Sequence, residues 1–168
     1  ELQFETIARL GAAPIELRIA APAAGLEVAH RLSACLAGRG VTAAGDVARW
    51  PNRRFDEVMR VEHWDNALNQ GKRAGLNMAG AHKPYDYMPY FFSDLFEFGY
   101  EAVGEVDAQL ETFADWQKEN DTGVIYYLKD GRVRGAMMCN VWEKVEVARS
   151  VIRAGALVTK EGLRGMIK

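Results

Sequence analysis

Between residues 61 and 79 apolar and small residues recur at alternating spacings of three and four: Val61, Trp64, Leu68, Gly71, Gly75 and Met78. That spacing predicts a helix over 61–79 with this stripe as its buried face. Glu62 and Asp65 would sit in its first turn, where the helix dipole favours anions, and Gly80 would stop it. Gly71, Ala74 and Gly75 are small residues in mid-helix, which suits close approach of another backbone or of a flat ligand. Downstream the period changes to two. Phe96, Phe98, Tyr100, Ala102 and Val106 alternate with Glu97, Gly99, Glu101 and Glu105, and runs near 110–116, 123–129 and 132–139 are also strand-like. Asp130-Gly131 between the last two predicts a tight hairpin. Residues 96–140 therefore read as an antiparallel meander. A second amphipathic helix is expected over 141–154, with Val141, Val145, Ala148 and Ile152 on one face, an Asn140…Glu143 cap and Gly155 as its stop.

The remaining segments are less regular. Ile15–Ile19 alternates between Pro14 and Pro22 and reads as a short strand, and residues 20–37 have helical composition. Residues 41–47 read as a short buried strand running into a Gly-Asp turn, 50–54 as a polar loop, and 82–92 as a loop rich in Pro and aromatic residues. The fold class is α+β: an antiparallel β-meander with C-terminal helices, preceded by shorter α/β-like remnants.

The 168 residues are enough for one domain, or one and a half small ones, with a stable core. The formal net charge of -2 suggests neither a nucleic-acid grip nor a membrane-surface grip. No apolar run approaches the roughly 20 residues of a membrane span. Cys35 and Cys139 form no C-x-x-C, and the opening residues do not resemble a signal peptide, so a reducing, cytoplasmic setting is expected. His30, His63 and His82 are too scattered to read as metal ligands, and no G-x-S-x-G, Walker loop or G-x-G-x-x-G occurs.

Three local features carry candidate chemistry, each with a plain structural alternative. Asp46, just after Ala44-Gly45, could accept hydrogen bonds from ligand hydroxyls, or merely end a strand. Arg60-Val61-Glu62-His63-Trp64 opens the long helix, where free N–H groups suit an electron-rich ligand atom and His63 beside Trp64 could line a flat aromatic ligand; otherwise Trp64 is core and His63 is surface. Pro89–Asp94 could stack on a ring system, or plug two layers together.

In order and spacing, Ala44-Gly45-Asp46-Val47-Ala48, Arg60-Val61-Glu62-His63-Trp64-Asp65-Asn66-Ala67, Gly71–Met78 and Pro89-Tyr90-Phe91-Phe92-Ser93-Asp94 resemble the FAD-dependent pyridine nucleotide-disulfide oxidoreductases. Within that family they are similar to the ferredoxin-reductase-like and apoptosis-inducing-factor-like branches. Gly123–Asp130, Asn140-Val141-Trp142 and Ala148-Arg149 strengthen the second likeness. The match is specific over 43–155 and weak over 1–40. The resemblance implies the end of an NAD-binding domain over 1–40, a returning segment of an FAD-binding domain over 41–82, and a C-terminal reductase domain over 83–168. The family's Gly-rich fingerprints would lie upstream.

The resemblance also implies roles. Asp46 would bond the FAD ribityl chain, and the helix opened by His63 and Trp64 would face the flavin. Glu62 and His63 would contact the nicotinamide side of NAD. Phe92 would pack beside the isoalloxazine in place of a Trp, and Glu101 and Asn140 would lie near the nicotinamide nucleotide. Glu101 has a solvated acidic strand face, shared with Glu97 and Glu105, as its alternative; for Asn140 the helix cap is compatible with the implied role. The implied partners are NAD(P)H and an acceptor such as a ferredoxin, a quinone or oxygen, and a homodimer is open. The implied activity passes hydride from NAD(P)H to FAD. The competing class is a non-catalytic interaction or dimerisation module that does not hold FAD by itself. The choices of acceptor and of NADH against NADPH are not legible in the sequence.

Overall fold

Asp130 and Gly131 turn back on themselves with φ of +51° and +69°. That left-handed pair is what a two-residue hairpin with native strand twist requires. The computed structural model describes residues 4–10, 13–19 and 42–168, and the chain divides into two units, Glu1–Tyr87 and Met88–Lys168. The predicted helical composition of 20–37 lies outside the described residues.

The C-terminal unit is a five-stranded antiparallel sheet in the order β5-β6-β9-β8-β7. Its strands are β5 (Tyr90–Leu95), β6 (Phe98–Gly104), β7 (Glu111–Lys118), β8 (Thr122–Lys129) and β9 (Arg132–Cys139). The three later strands fall where strand-like runs are expected, at 110–116, 123–129 and 132–139. Val124, Tyr126 and Leu128 point inward from β8, where Val124 pairs with Met138 and Tyr126 with Ala136 of β9. Helix α2 (Val145–Ala154) buries Ala148 and Ile152 on this unit, and the short α3 (Lys160–Leu163) buries Leu163. The Tyr126 hydroxyl accepts from the Ile167 N–H at 3.2 Å, and burial pushes it up to about 12.

Several expectations need correction. The aromatic run 90–95 is not loop but the first strand of the sheet. Phe96 is not an inward strand residue: it sits fully exposed at φ +58° in the β5–β6 turn, and β6 starts at Phe98. The sheet is not a simple meander, because β6 pairs with β9 and not with β7. Two glycines explain that closure. A Cβ on Gly135 would lie 2.1 Å from the Glu105 carbonyl oxygen, and one on Gly104 would lie 2.3 Å from that of Arg134. Only bare backbone lets β6 end so close to β9. Asn140 does not cap α2, whose N-cap is Lys144 without a side-chain bond. Glu143 adopts φ +61° and breaks the continuity expected from residue 141. Gly155 does end α2, in the left-handed conformation.

In the N-terminal unit β1 (Phe4–Leu10) and β2 (Ala13–Ile19) form an antiparallel pair, which includes the strand expected at 15–19. Residues 42–47 form no strand and lead into a turn at Gly45–Val47. The expected polar loop at 50–54 is partly a strand, β3 (Trp50–Asn52), paired with β4 (Glu57–Met59). Trp50 and Asn52 are buried there. The long helix is α1 (Trp64–Met78), starting three residues later than expected because His63 is its N-cap. It ends in a Schellman motif: Ala81 N–H donates to Leu76 O and Gly80 N–H to Asn77 O, both at 3.0 Å.

The face of α1 is inverted relative to the apolar pattern. Its buried residues are Asn66 and Gln70, whereas Trp64 is 68% exposed and Leu68 56%. A Cβ on Gly71 or Gly75 would meet nothing within 4 Å. The inward amides are used: Asn66 Nδ2 donates to Val61 O at 3.0 Å, and Asn66 Oδ1 accepts from the Tyr85 hydroxyl at 3.0 Å. Asn66→Ala orphans the buried Val61 carbonyl, removes the side-chain acceptor of the Tyr85 hydroxyl and should lower stability by roughly 1–3 kcal/mol, whereas Trp64→Ala should stay within about 0.5 kcal/mol. Urea unfolding of both variants checks the orientation. A larger loss at Trp64 would mean that the helix buries its apolar face.

Candidate functional site

The residues singled out from sequence fall into two sets, one in each unit. Asp46, Glu62, His63 and Trp64 form the first set. Gly45 turns at φ +83° and donates its N–H to the buried Gln70 Oε1 at 2.8 Å, which ties the Gly-Asp turn to the middle of α1. Asp46 follows, half-buried. Burial pushes its carboxyl above the usual range; Glu62 repulsion adds to this, and Arg60 and His63 oppose it. Arg60 pairs with Glu62 and donates to the Asp46 carbonyl oxygen at 3.5 Å. His63 Nδ1 accepts from the Asp65 N–H at 3.3 Å, so the imidazole satisfies one first-turn donor and, when neutral, carries its proton on Nε2. Trp64 is not the core residue of the plain alternative. The helix start therefore gathers two carboxylates, a guanidinium and an imidazole beside an exposed indole.

Phe92, Glu101 and Asn140 form the second set. Phe92 and Glu101 lie directly opposite each other on β5 and β6. Two residues before Phe92, Tyr90 shares its face, with ring centroids 5.8 Å apart, and donates its hydroxyl to Glu101 Oε1 at 2.8 Å. The other oxygen, Glu101 Oε2, is buried without a hydrogen-bond partner among the described residues. A buried carboxylate oxygen left in this way costs free energy, and such atoms mark places where a further donor belongs. The solvated acidic face does not exist. Glu105 is 9% exposed and pairs with Arg134 at 2.8 Å, and Glu97 lies in the turn before β6. Asn140 clamps that turn, its Oδ1 accepting from Gly99 N–H at 2.9 Å and its Nδ2 donating to Glu97 O at 3.4 Å.

Sequence reasoning does not single out Gln70, and it gives Arg60 and Tyr90 no role of their own within the motifs Arg60–Trp64 and Pro89–Asp94. Asn66, Gln70, Arg73 and Asn77 form a polar stripe as regular as the apolar one, and that stripe was the available signal for Gln70. Tyr90 lies in the aromatic cluster Pro89–Asp94, but its bond to Glu101 comes from a strand pairing that a loop over 82–92 does not predict.

The family model described as the mitochondrion-associated C-terminal region of apoptosis-inducing factor matches residues 74–122 and 114–154. Apoptosis-inducing factor 1, mitochondrial, from Dictyostelium discoideum is 38% identical over 121 residues, covering 65% of this chain and 23% of that protein. Monodehydroascorbate reductase from Solanum lycopersicum is 30% identical over 105 residues, covering 58% of this chain and 24% of that protein. A ferredoxin reductase from Rhodopseudomonas palustris superposes with a TM-score of 0.63 at 28% identity, covering 71% of this chain and 30% of that structure. By sequence and fold the chain is a relative of the FAD-dependent pyridine nucleotide-disulfide oxidoreductases. Within that class its C-terminal unit resembles the C-terminal region of apoptosis-inducing factor. The chain spans about a quarter of the length of the curated relatives it matches.

The raised pKa of Asp46 has a definite sign. The folded state favours the protonated acid, so stability is fully present below the ordinary carboxylate value of 3.8 and is lost as pH rises through the higher folded value. Asp46→Asn should therefore be more stable than the parent chain at neutral pH, with the difference vanishing below the ordinary value. Thermal melts across that range check it; a difference that grows on acidification would contradict it.

Proposed function

We propose that this chain is the C-terminal portion of a flavoprotein NAD(P)H oxidoreductase, with residues 41–82 returning to an FAD-binding domain and 83–168 forming the reductase's last domain. The observation that carries the proposal is the inverted α1. A helix that buries amides and exposes Trp64, Leu68, Gly71 and Gly75 is built to be covered by something outside this unit. Its first turn, at the end of the exposed face, holds the Asp46–Glu62–His63 cluster.

Bound FAD would supply the redox chemistry, taking hydride from NAD(P)H and passing electrons to an acceptor such as a ferredoxin, a quinone or oxygen. The residues present fit such a group. Asp46, close to a bare-backbone turn, offers acceptors to ligand hydroxyls. First-turn N–H groups and the positive end of α1 favour electron density on a ring placed there. His63, fixed by its bond to the Asp65 N–H, presents a flat ring at a set angle. Glu101 Oε2 offers an unsatisfied acceptor to an amide donor, and Phe92 beside Tyr90 offers ring surface.

The 168-residue chain alone should bind FAD weakly or not at all, because a pyrophosphate-binding Gly-rich fold is not among its motifs. A polypeptide that adds a dinucleotide-binding part should purify yellow. In it His63→Ala should lose the cap and the ring together, lowering stability by about 1 kcal/mol and NAD(P)H affinity about fivefold. His63→Asn should keep the cap and lose only affinity. Flavin absorbance, melting temperature and NAD(P)H titration read these out. A colourless longer protein, or sub-micromolar FAD binding by the short chain, would refute the proposal.

A further inference from the structure

A groove of about 560 Å3 runs between the C-terminal half of α1 and the segment 83–87. Lys72, Arg73 and Leu76 line it from the helix, and Lys83, Tyr85 and Tyr87 from the segment. Its walls are held in place. The Tyr85 hydroxyl donates to Asn66 Oδ1 at 3.0 Å and that of Tyr87 to Asp65 Oδ2 at 2.7 Å. The two rings lie 5.9 Å apart and 23° from parallel, and Trp50 meets Tyr85 edge-on at 5.3 Å. Asn77 fixes the opposite rim, accepting from Lys83 N–H at 2.9 Å and donating to Lys83 O at 2.8 Å.

Lys72, Arg73 and Lys83 make no ion pair with the described residues, and Asp86 is the single carboxylate on the lining. Three cations thus face one anion beside a rigid aromatic wall. The volume lies within the usual range for small-ligand sites, roughly 300–1,000 Å3. We infer that this groove binds a small planar aromatic anion of the nucleoside monophosphate class, its phosphate among Lys72, Arg73 and Lys83 and its ring against the tyrosine wall. Lys and Arg supply charge-assisted bonds to phosphate oxygens, and tyrosine rings supply sequence-tolerant stacking surface. A long nucleic acid fits less well, because the chain as a whole carries a net charge of -2. An acidic protein would meet the cations but leave the concave aromatic wall unfilled. The site is separate from the Asp46–Glu62–His63 cluster and does not depend on the flavoprotein reading.

Calorimetric titration of the whole 168-residue chain with AMP at low salt tests the inference. Saturable one-to-one binding is expected. Adenosine alone and inorganic phosphate alone should each bind about tenfold more weakly. Lys72→Met and Lys83→Met should each weaken AMP about fivefold, while Lys118→Met, in the C-terminal unit and paired with Asp121, should leave affinity unchanged. No saturable heat at millimolar AMP would overturn the inference, as would inorganic phosphate matching AMP. Full displacement of AMP by an oligoglutamate peptide at equal concentration would also overturn it, assigning the groove to an acidic protein partner.

Discussion

The buried amides of Asn66 and Gln70 decide how α1 is rotated, and much of the N-terminal unit follows from that rotation. Each amide is bonded inward: Asn66 to Val61 O and the Tyr85 hydroxyl, Gln70 through its Oε1 to the N–H of Gly45. Turning the helix to bury its apolar stripe would carry the amides out to solvent and leave their buried partners, the Gly45 N–H and the Val61 carbonyl, unsatisfied. A buried backbone group left without its partner costs more than an exposed Leu or Trp gains by partial burial. So the polar stripe goes inward and the apolar stripe outward. The same bonds pin the Gly45–Asp46 turn to the helix and hold Tyr85 against it, which creates both the charged cluster at the helix start and the basic groove near its end.

A second constraint shapes the C-terminal unit. Gly104 and Gly135 allow β6 to close onto β9, so the strand order departs from the sequential one. Glu101 therefore sits on an interior strand, between Phe92 of β5 and Met138 of β9. Its carboxylate is held by Tyr90 on one side and left without a partner on the other. Asn140 secures the turn that starts this strand, which gives it a structural task whatever else it contacts.

Much of the C-terminal fold was legible in the sequence. Strand alternation and the Asp130-Gly131 turn are local signals, and that unit buries its own apolar face, so local pattern and tertiary outcome agree. The errors have one physical origin. Periodicity shows that a face is apolar but not what covers it. The α1 stripe is regular, yet the unit described here does not cover it. The run Tyr90–Leu95 is a strand that pairs on one side only, to β6, and its aromatic density and the adjacent prolines masked the alternation. Of the site residues, those beside turn and helix signals, Asp46 and His63, were placed in the correct local setting. The tasks of Gln70, Arg60 and Tyr90 rest on hydrogen bonds to residues 25, 14 and 11 positions away, which local pattern does not show.

The central claim is that the outward face of α1 belongs to a part of a longer protein. Acrylamide quenching of the Trp64 emission, isolated as the difference between the parent polypeptide and its Trp64→Phe variant, tests it most directly. In the 168-residue chain the Trp64 component should be quenched nearly as freely as a tryptophan in solution, in keeping with its 68% exposure. In a polypeptide that adds the dinucleotide-binding part it should become shielded. Equal and full quenching in both would contradict the account, because the face would then remain uncovered.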